Sequence, residues 1–225
     1  MNWDETDDLA PPAVDRRELA RESPVKSSRW PRTDRRTARL KHALARRQPD
    51  MVVVLENVHD DYNIAAAMRS CDAVGIQHVH LVYTMEEPPR VRFARRVSAG
   101  AAKWLDVHQW SSVEDCYAAL RGQDIAILAL ALGQDSASVF DTDLAAPVAL
   151  VFGNEMRGLS DEAVEGADRC VHIPMVGMVQ SLNISVSCAV AVYEAYRQRE
   201  ADGAYAKPKL GTNAIDEKLS EWLEK

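Results

Sequence analysis

Two kinds of hydrophobic pattern divide the chain. Met51–Leu55, His78–Tyr83, Trp104–Trp110, Asp124–Leu132, Pro147–Phe152 and Arg169–Ile173 are runs dominated by apolar, often β-branched residues, without regular polar alternation. Such runs predict strands covered on both faces. Between them, apolar residues recur at helical spacing. Ile64, Ala67, Met68, Cys71 and Val74 line one face of a helix, with Asn63 as its expected cap and Gly75 as its end. Ser111 or Ser112 opens a helix reaching Leu120, and Ser160 opens a short one carrying Asp161 and Glu162 in its first turn, where the helix dipole favours acids. A last long helix runs from Asn183 to Arg199. Residues 33–47 read as a basic helix capped by Thr33 or Asp34, with a thin stripe of Leu40, Ala43 and Leu44, ended by Gln48-Pro49-Asp50. Met85 to Ala102, with Arg90, Arg92, Arg95 and Arg96, reads as a loop and short helix. Alternating strands and helices predict an α/β fold, a parallel sheet with helices on both faces. Ligands bind such sheets beyond the carboxyl ends of the strands. The loops around Asn57, Leu132, Gly153 and Pro174 all lie at that edge.

The stretch Ile173 to Ser187 organises the rest. A strand ends at Pro174, a loop with two Met and one Gly follows, and Ser181 and Asn183 introduce a helix that is apolar almost all round. Capping alone would account for a Ser or Asn there, but the preceding loop is long and apolar for a plain connection. On the helix itself, Val186, Ala189, Val190 and Tyr193 form one apolar face and Cys188, Ala191, Val192 and Ala195 another. Two such faces need covering, by the helix's own sheet and by a second layer inside the chain or from a partner.

Charge changes this picture at one place. The net charge is -7, yet Arg29 to Arg47 holds eight basic residues (Arg29, Arg32, Arg35, Arg36, Arg39, Lys41, Arg46, Arg47) against Asp34 alone. A cationic segment on an acidic body is the footprint of an arm that contacts a polyanion, or else a solvated surface helix. Residues 1–28, acidic and rich in Pro and Ser, are expected to be disordered, with 29–49 as the basic arm, 50–200 as the main domain and 201–225 as a tail or helix. No apolar run approaches the ~20 residues of a membrane helix, and the acidic start is no secretory signal. Four scattered cysteines and six histidines without ligand spacing predict reduced thiols, no metal and a cytoplasmic location.

The standard nucleotide signatures fail: no G-x-G occurs, and Leu159 follows Gly153–Gly158 where a phosphate loop needs Lys. Three other motifs remain: Asn63-x5-Arg69, Phe152-Gly153-Asn154-Glu155-x-x-Gly158-Leu159-Ser160, and Ile173-Pro174-Met175-x5-Ser181-Leu182-Asn183-x-Ser185-Val186. In this order they resemble the motifs of the SpoU branch of RNA 2′-O-ribose methyltransferases. Leu44 to Asp50 and Ile173 to Glu194 look closer still to the TrmH subgroup, which methylates guanosine 18 in the tRNA D-loop. The resemblance covers roughly residues 38–206; Ala65 departs from the Gly common at that position.

The resemblance implies a C-terminal trefoil knot, which general topology rules would never suggest, together with S-adenosyl-L-methionine as donor, tRNA as substrate and a homodimer. It points to Leu130, Gly153, Ile173 and Leu182 around the cofactor, residues that by type alone would be core packing. It makes Arg69 the residue acting on the 2′-hydroxyl, with Asn63, Glu155, Ser181 and Asn183 shaping the site. A guanidinium is hard to deprotonate, so orienting the hydroxyl and stabilising charge is as good a role for Arg69 as base catalysis. A surface Arg in a salt bridge is the bland alternative. Arg35, Arg36, Arg46 and Arg47 are expected to contact tRNA phosphates. The competing functions are methylation of another tRNA position or of ribosomal RNA, and RNA binding without catalysis.

Overall fold

A computed structural model describes residues 34–85, 100–133 and 135–225. In chain order these form α1 (Asp34–Leu44), β1 (Gln48–Glu56), α2 (Asp61–Ala73), β2 (Ile76–Val82), a 3-10 turn (Ala101–Trp104), β3 (Asp106–Trp110), α3 (Val113–Arg121), β4 (Ala126–Leu130), β5 (Ala137–Ser138), a second 3-10 turn (Val139–Asp141), β6 (Val148–Phe152), α4 (Asp161–Glu165), β7 (Arg169–His172), α5 (Ile184–Ala201) and α6 (Thr212–Glu224). The strands make one sheet in the order β3-β2-β1-β6-β4-β7-β5, and every pairing is parallel. The expectations for residues 1–28, Arg29, Arg32, the Thr33 cap and the arginines between 90 and 96 fall outside the described residues.

The pleat explains the unbroken apolar runs. Met51, Val53 and Leu55 of β1 face one layer with Ile64, Met68, Cys71, Cys188 and Val192 of α2 and α5. Val52 and Val54 face the other, with Val113, Cys116, Leu120 and Ala163 of α3 and α4. A strand covered twice cannot alternate in polarity. On the second face His80 sits beneath α3, its Nδ1 accepting the Trp110 indole N–H at 3.0 Å. Burial, with His108 and His78 alongside, pushes its pKa down to about 3.

Two boundaries that bear on the site differ from expectation. The α2 cap is Asp60, whose Oδ1 accepts the Tyr62 and Asn63 amides at 2.7 and 3.1 Å, so the Asn63 side chain is released for other partners. Strand β1 begins at Gln48 rather than after Asp50, and its register against β2 shifts between Gln48 and Val52. That irregularity accommodates Pro49, which has no N–H to give a central strand. The C-terminal segment forms α6, whose Leu219 and Trp222 pack on Leu40 and Leu44 of α1 with Trp104 against them. The basic helix is thereby docked on the body.

Candidate active site

The carboxyl ends of β4, β6 and β7 open into a cavity of about 500 Å³. Leu130, Gly153, Ile173 and Leu182, all expected around the cofactor, line it together with Glu155 and Ser181. The loop after β6 turns tightly. The backbone N–H and C=O of Asn154 and Gly158 pair with each other at 2.8 and 2.9 Å, and a Cβ on Gly153 would stand 2.2 Å from the Gly158 carbonyl carbon. Only glycine lets the strand end approach the returning loop. Asn154 braces this turn from inside: its Oδ1 accepts the Met156 amide at 2.9 Å, and its Nδ2 donates to the Asn57 carbonyl at 2.8 Å. Below it the buried Glu56 carboxylate accepts both the backbone N–H and the hydroxyl of Ser160, at 2.9 and 2.5 Å. Neither Asn154 nor Glu56 was singled out from sequence, although a carboxylate closing a buried strand was a visible signal.

Three expected site residues from distant segments join in one chain of hydrogen bonds. Asn63 Nδ2 donates to Glu155 Oε1 at 2.6 Å, and Asn183 Nδ2 donates to Asn63 Oδ1 at 3.0 Å. Asn183 Oδ1 accepts the Ser185 amide at 2.9 Å and its hydroxyl at 2.6 Å. Asn183 is therefore both the cap of α5 and a link to the cavity rim; its carbonyl end serves the helix and its amide end serves the site. His172 was also missed: it lines the cavity, and its Nδ1 lies 3.0 Å from Ser136 Oγ, which ties down the loop after β4.

Arg69 is placed elsewhere. It is exposed on α2 and lines a second cavity with Ala65, Asp72, Gly100, Ala101, Ala102 and Trp104. Although expected to act at the site that Asn63, Glu155, Ser181 and Asn183 shape, Arg69 does not line the cavity that holds Ile173 and Leu182 in one chain.

The basic arm is split. Arg35, Arg39 and Arg46 are exposed and Arg36 half-buried. Arg47 is buried, donating to the Ile76 carbonyl at 2.7 Å and to Asp72 Oδ1 at 2.5 Å, with its guanidinium 4.9 Å from the Trp222 ring centroid. The expectation that Arg47 contacts phosphate is therefore corrected: its donors serve the interior. Among the described residues no group of His, Cys, Asp or Glu is arranged to hold a metal ion. No helix among them is long and apolar enough to cross a membrane.

The cavity suits a bent adenosyl sulfonium. It has the volume of a small-ligand site, aliphatic walls from Leu130, Ile173, Leu182 and Ile184, and a carboxylate, Glu155, on its lining to complement positive charge. A tRNA (guanosine(18)-2′-O)-methyltransferase of Thermus thermophilus is 39% identical over 194 residues, 86% of this chain and 98% of the relative. The crystal structure of the Aquifex aeolicus TrmH/SpoU tRNA modifying enzyme superposes with a TM-score of 0.77 at 34% identity, covering 85% of this chain and 96% of that one. The SpoU methyltransferase AviRb from Streptomyces viridochromogenes, solved in complex with AdoMet, gives a TM-score of 0.61 at 26% identity over 68% of this chain and 60% of its own. Residues 50–193 match the SpoU rRNA Methylase family, and the chain belongs to that family.

Proposed function

We propose that this protein methylates the 2′-hydroxyl of a ribose in tRNA, at guanosine 18 of the D-loop, with S-adenosyl-L-methionine as donor. The observation that carries this is the convergence of Asn63, Glu155, Ser181 and Asn183 on the rim of an aliphatic cavity lined by Leu130, Gly153, Ile173 and Leu182. The donor, when bound, supplies a methyl group on a positively charged sulfur. The chain's own residues do the rest. Leu130, Ile173 and Leu182 exclude water and hold the adenosine through main-chain groups. Glu155, oriented by Asn63, complements the sulfonium charge. Arg69 orients the 2′-hydroxyl and offsets the negative charge that grows on its oxygen during transfer.

That role needs Arg69 brought to a donor cavity it does not line in one protomer, which is why the reading includes a homodimer. The α5 face of Val186 and Tyr193 is 47% and 51% exposed, while Cys188, Ala191, Val192 and Ala195 on the other face are buried. A second copy covering the first face suits both observations. The reading also includes a trefoil knot in the C-terminal part of a catalytic domain spanning residues 50–200. Arg35, Arg36 and Arg46 form a tRNA-binding surface on the 29–49 arm, and the setting is the cytoplasm.

Mapping 2′-O-methyl groups on tRNA from cells lacking the protein tests the reading. Loss of the methyl at guanosine 18 alone is expected. Intact tRNA with a missing methyl on ribosomal RNA would transfer the same chemistry to the other substrate.

A further inference from the structure

The Arg69 cavity, about 360 Å³, shares no lining residue with the donor cavity. It has its own chemistry. Its aromatic wall is Trp104, half-buried and fixed edge-on against Trp222, with ring centroids 5.1 Å apart. The Lys103 ammonium lies over the Trp104 ring, 4.5 Å from its centroid, and covers that face. Arg69 makes no hydrogen bond or ion pair to any described residue. The carboxylate on the lining, Asp72, is already bound to the buried Arg47 at 2.5 Å, so it presents a compensated charge to an anion. Ala65, Gly100, Ala101 and Ala102 keep the floor open.

We propose that this cavity takes a nucleobase of the RNA, with Trp104 as its aromatic wall and the adjoining phosphate held by Arg69. The proposal rests on the ribose-methyltransferase reading and extends it to a base-holding subsite. An aromatic wall beside a cation is what single-stranded RNA recognition uses: every base has an apolar face, and each carries a phosphate next to it. A metal or a neutral metabolite would leave that pairing of aromatic and cation unused. Asn63 and Arg69 are six residues apart on α2, about 9 Å along the axis. One helix thus links the rim of the donor cavity to the wall of the base cavity, so a base seated here fixes where the neighbouring riboses lie.

The test fills the cavity rather than removing its walls. Ala65→Leu and Ala102→Leu are each made in the full-length chain, with Trp104→Phe and Trp104→Ala beside them. Steady-state and single-turnover methylation of tRNA, S-adenosylmethionine affinity and thermal melting are measured for each. The expected result is a KM for tRNA raised at least about tenfold in both filled variants, with donor affinity and melting unchanged. Trp104→Ala should raise the tRNA KM as the filled variants do, with a lower melting point because Trp104 also packs on Trp222, and Trp104→Phe, which keeps a ring, should recover part of both. A tRNA KM within about twofold of wild type in both filled variants would overturn the proposal. So would a parallel loss of donor affinity, which would show the substitutions acting through the fold. Displacement of tRNA by GMP alone as strongly as by tRNA itself would assign the cavity to a free nucleotide, also overturning it. Failure of the underlying reading looks different: the wild-type protein leaves tRNA unmethylated, and the cavity is then judged by the direct tRNA affinity of the same variants.

Discussion

The two ends of the parallel sheet use polar groups in opposite ways. At the amino end of β1, Arg199 is fully buried and its donors are fully engaged: to the Leu144 carbonyl at 3.1 Å, Gln48 Oε1 at 3.2 Å, Asp50 Oδ1 at 2.7 Å, the Asp50 carbonyl at 3.3 Å and the Ala146 carbonyl at 2.6 Å. Lys209 closes the junction from outside, 2.6 Å from Asp50 Oδ2. At the carboxyl ends, Glu155 and Ser181 remain exposed on the cavity lining; Arg69, elsewhere on α2, is exposed as well. Buried polar groups that satisfy one another rigidify a fold; polar groups left facing a cavity serve something that arrives later. One end locks the sheet and the other offers it to a ligand.

The largest effect belongs to the locked end. Arg199→Ala removes the donor from Asp50 Oδ1, Gln48 Oε1 and three carbonyls, leaving Asp50 only its Lys209 contact, and should destabilise the chain by about 3–5 kcal/mol, read as a lower urea midpoint. A loss under about 1 kcal/mol would mean that water replaces the guanidinium and that the two ends do not differ in kind. Arg69→Ala should do the reverse. Its melting should match wild type, while the single-turnover methylation rate falls about 100-fold, near 2.7 kcal/mol of barrier. A rate within about threefold of wild type would remove Arg69 from the mechanism.

The locked end is also where sequence said least. Arg199 looked like one more charge closing a helix, because its five acceptors come from residues 48–50 and 144–146, and no periodicity links those segments. Arg47 was read as a phosphate contact for the same reason: charge counting registers a guanidinium but not the Trp222 and Asp72 that enclose it. The sheet was legible, since two-sided burial writes itself as apolar runs. The two-residue β5 was not, being too short to carry a pattern. That Leu130, Gly153, Ile173 and Leu182 line one cavity was reached through the family resemblance, since by residue type alone they would be core packing. The separation of Arg69 from that cavity was not legible, because spacing along α2 does not say which wall a side chain joins.

Smaller effects sharpen the same contrast. Asn183→Asp keeps the acceptor that caps α5 but loses the amide donor to Asn63. Its melting should change by less than the ~1 kcal/mol of a lost cap, while methylation slows at saturating donor. Asn183→Ala should lose both. Equal behaviour of the two variants would reduce Asn183 to a cap. On the arm, Arg46 and Arg47 are neighbours with opposite fates. Arg46→Gln, combined with Arg35→Gln and Arg36→Gln, should weaken tRNA binding and flatten its dependence on salt, by about 0.7–0.9 in log–log slope for each phosphate no longer neutralised. Arg47→Gln should lower stability instead. An unchanged salt slope in the triple variant would make α1 an ordinary solvated helix.

The smallest effect concerns acid. Burial alone would raise the Asp50 pKa, but the hydrogen bond from Lys209 and the charge and hydrogen bonds of Arg199 outweigh it, and the net shift is downward. A carboxylate depressed in the folded state contributes stability above its unfolded value, and that contribution is lost as pH falls through the folded value. The gap in urea midpoint between wild type and Asp50→Asn should therefore hold steady from pH 7 to 5, at on the order of 1 kcal/mol since Asp50 is partly exposed, and close below about pH 4. Using the difference between the two proteins matters. His80, held neutral in the folded state down to about pH 3, destabilises both chains equally as pH falls below its unfolded value. A gap that instead narrows between pH 7 and 5 would mean that a histidine, not Asp50, sets the acid response of this junction.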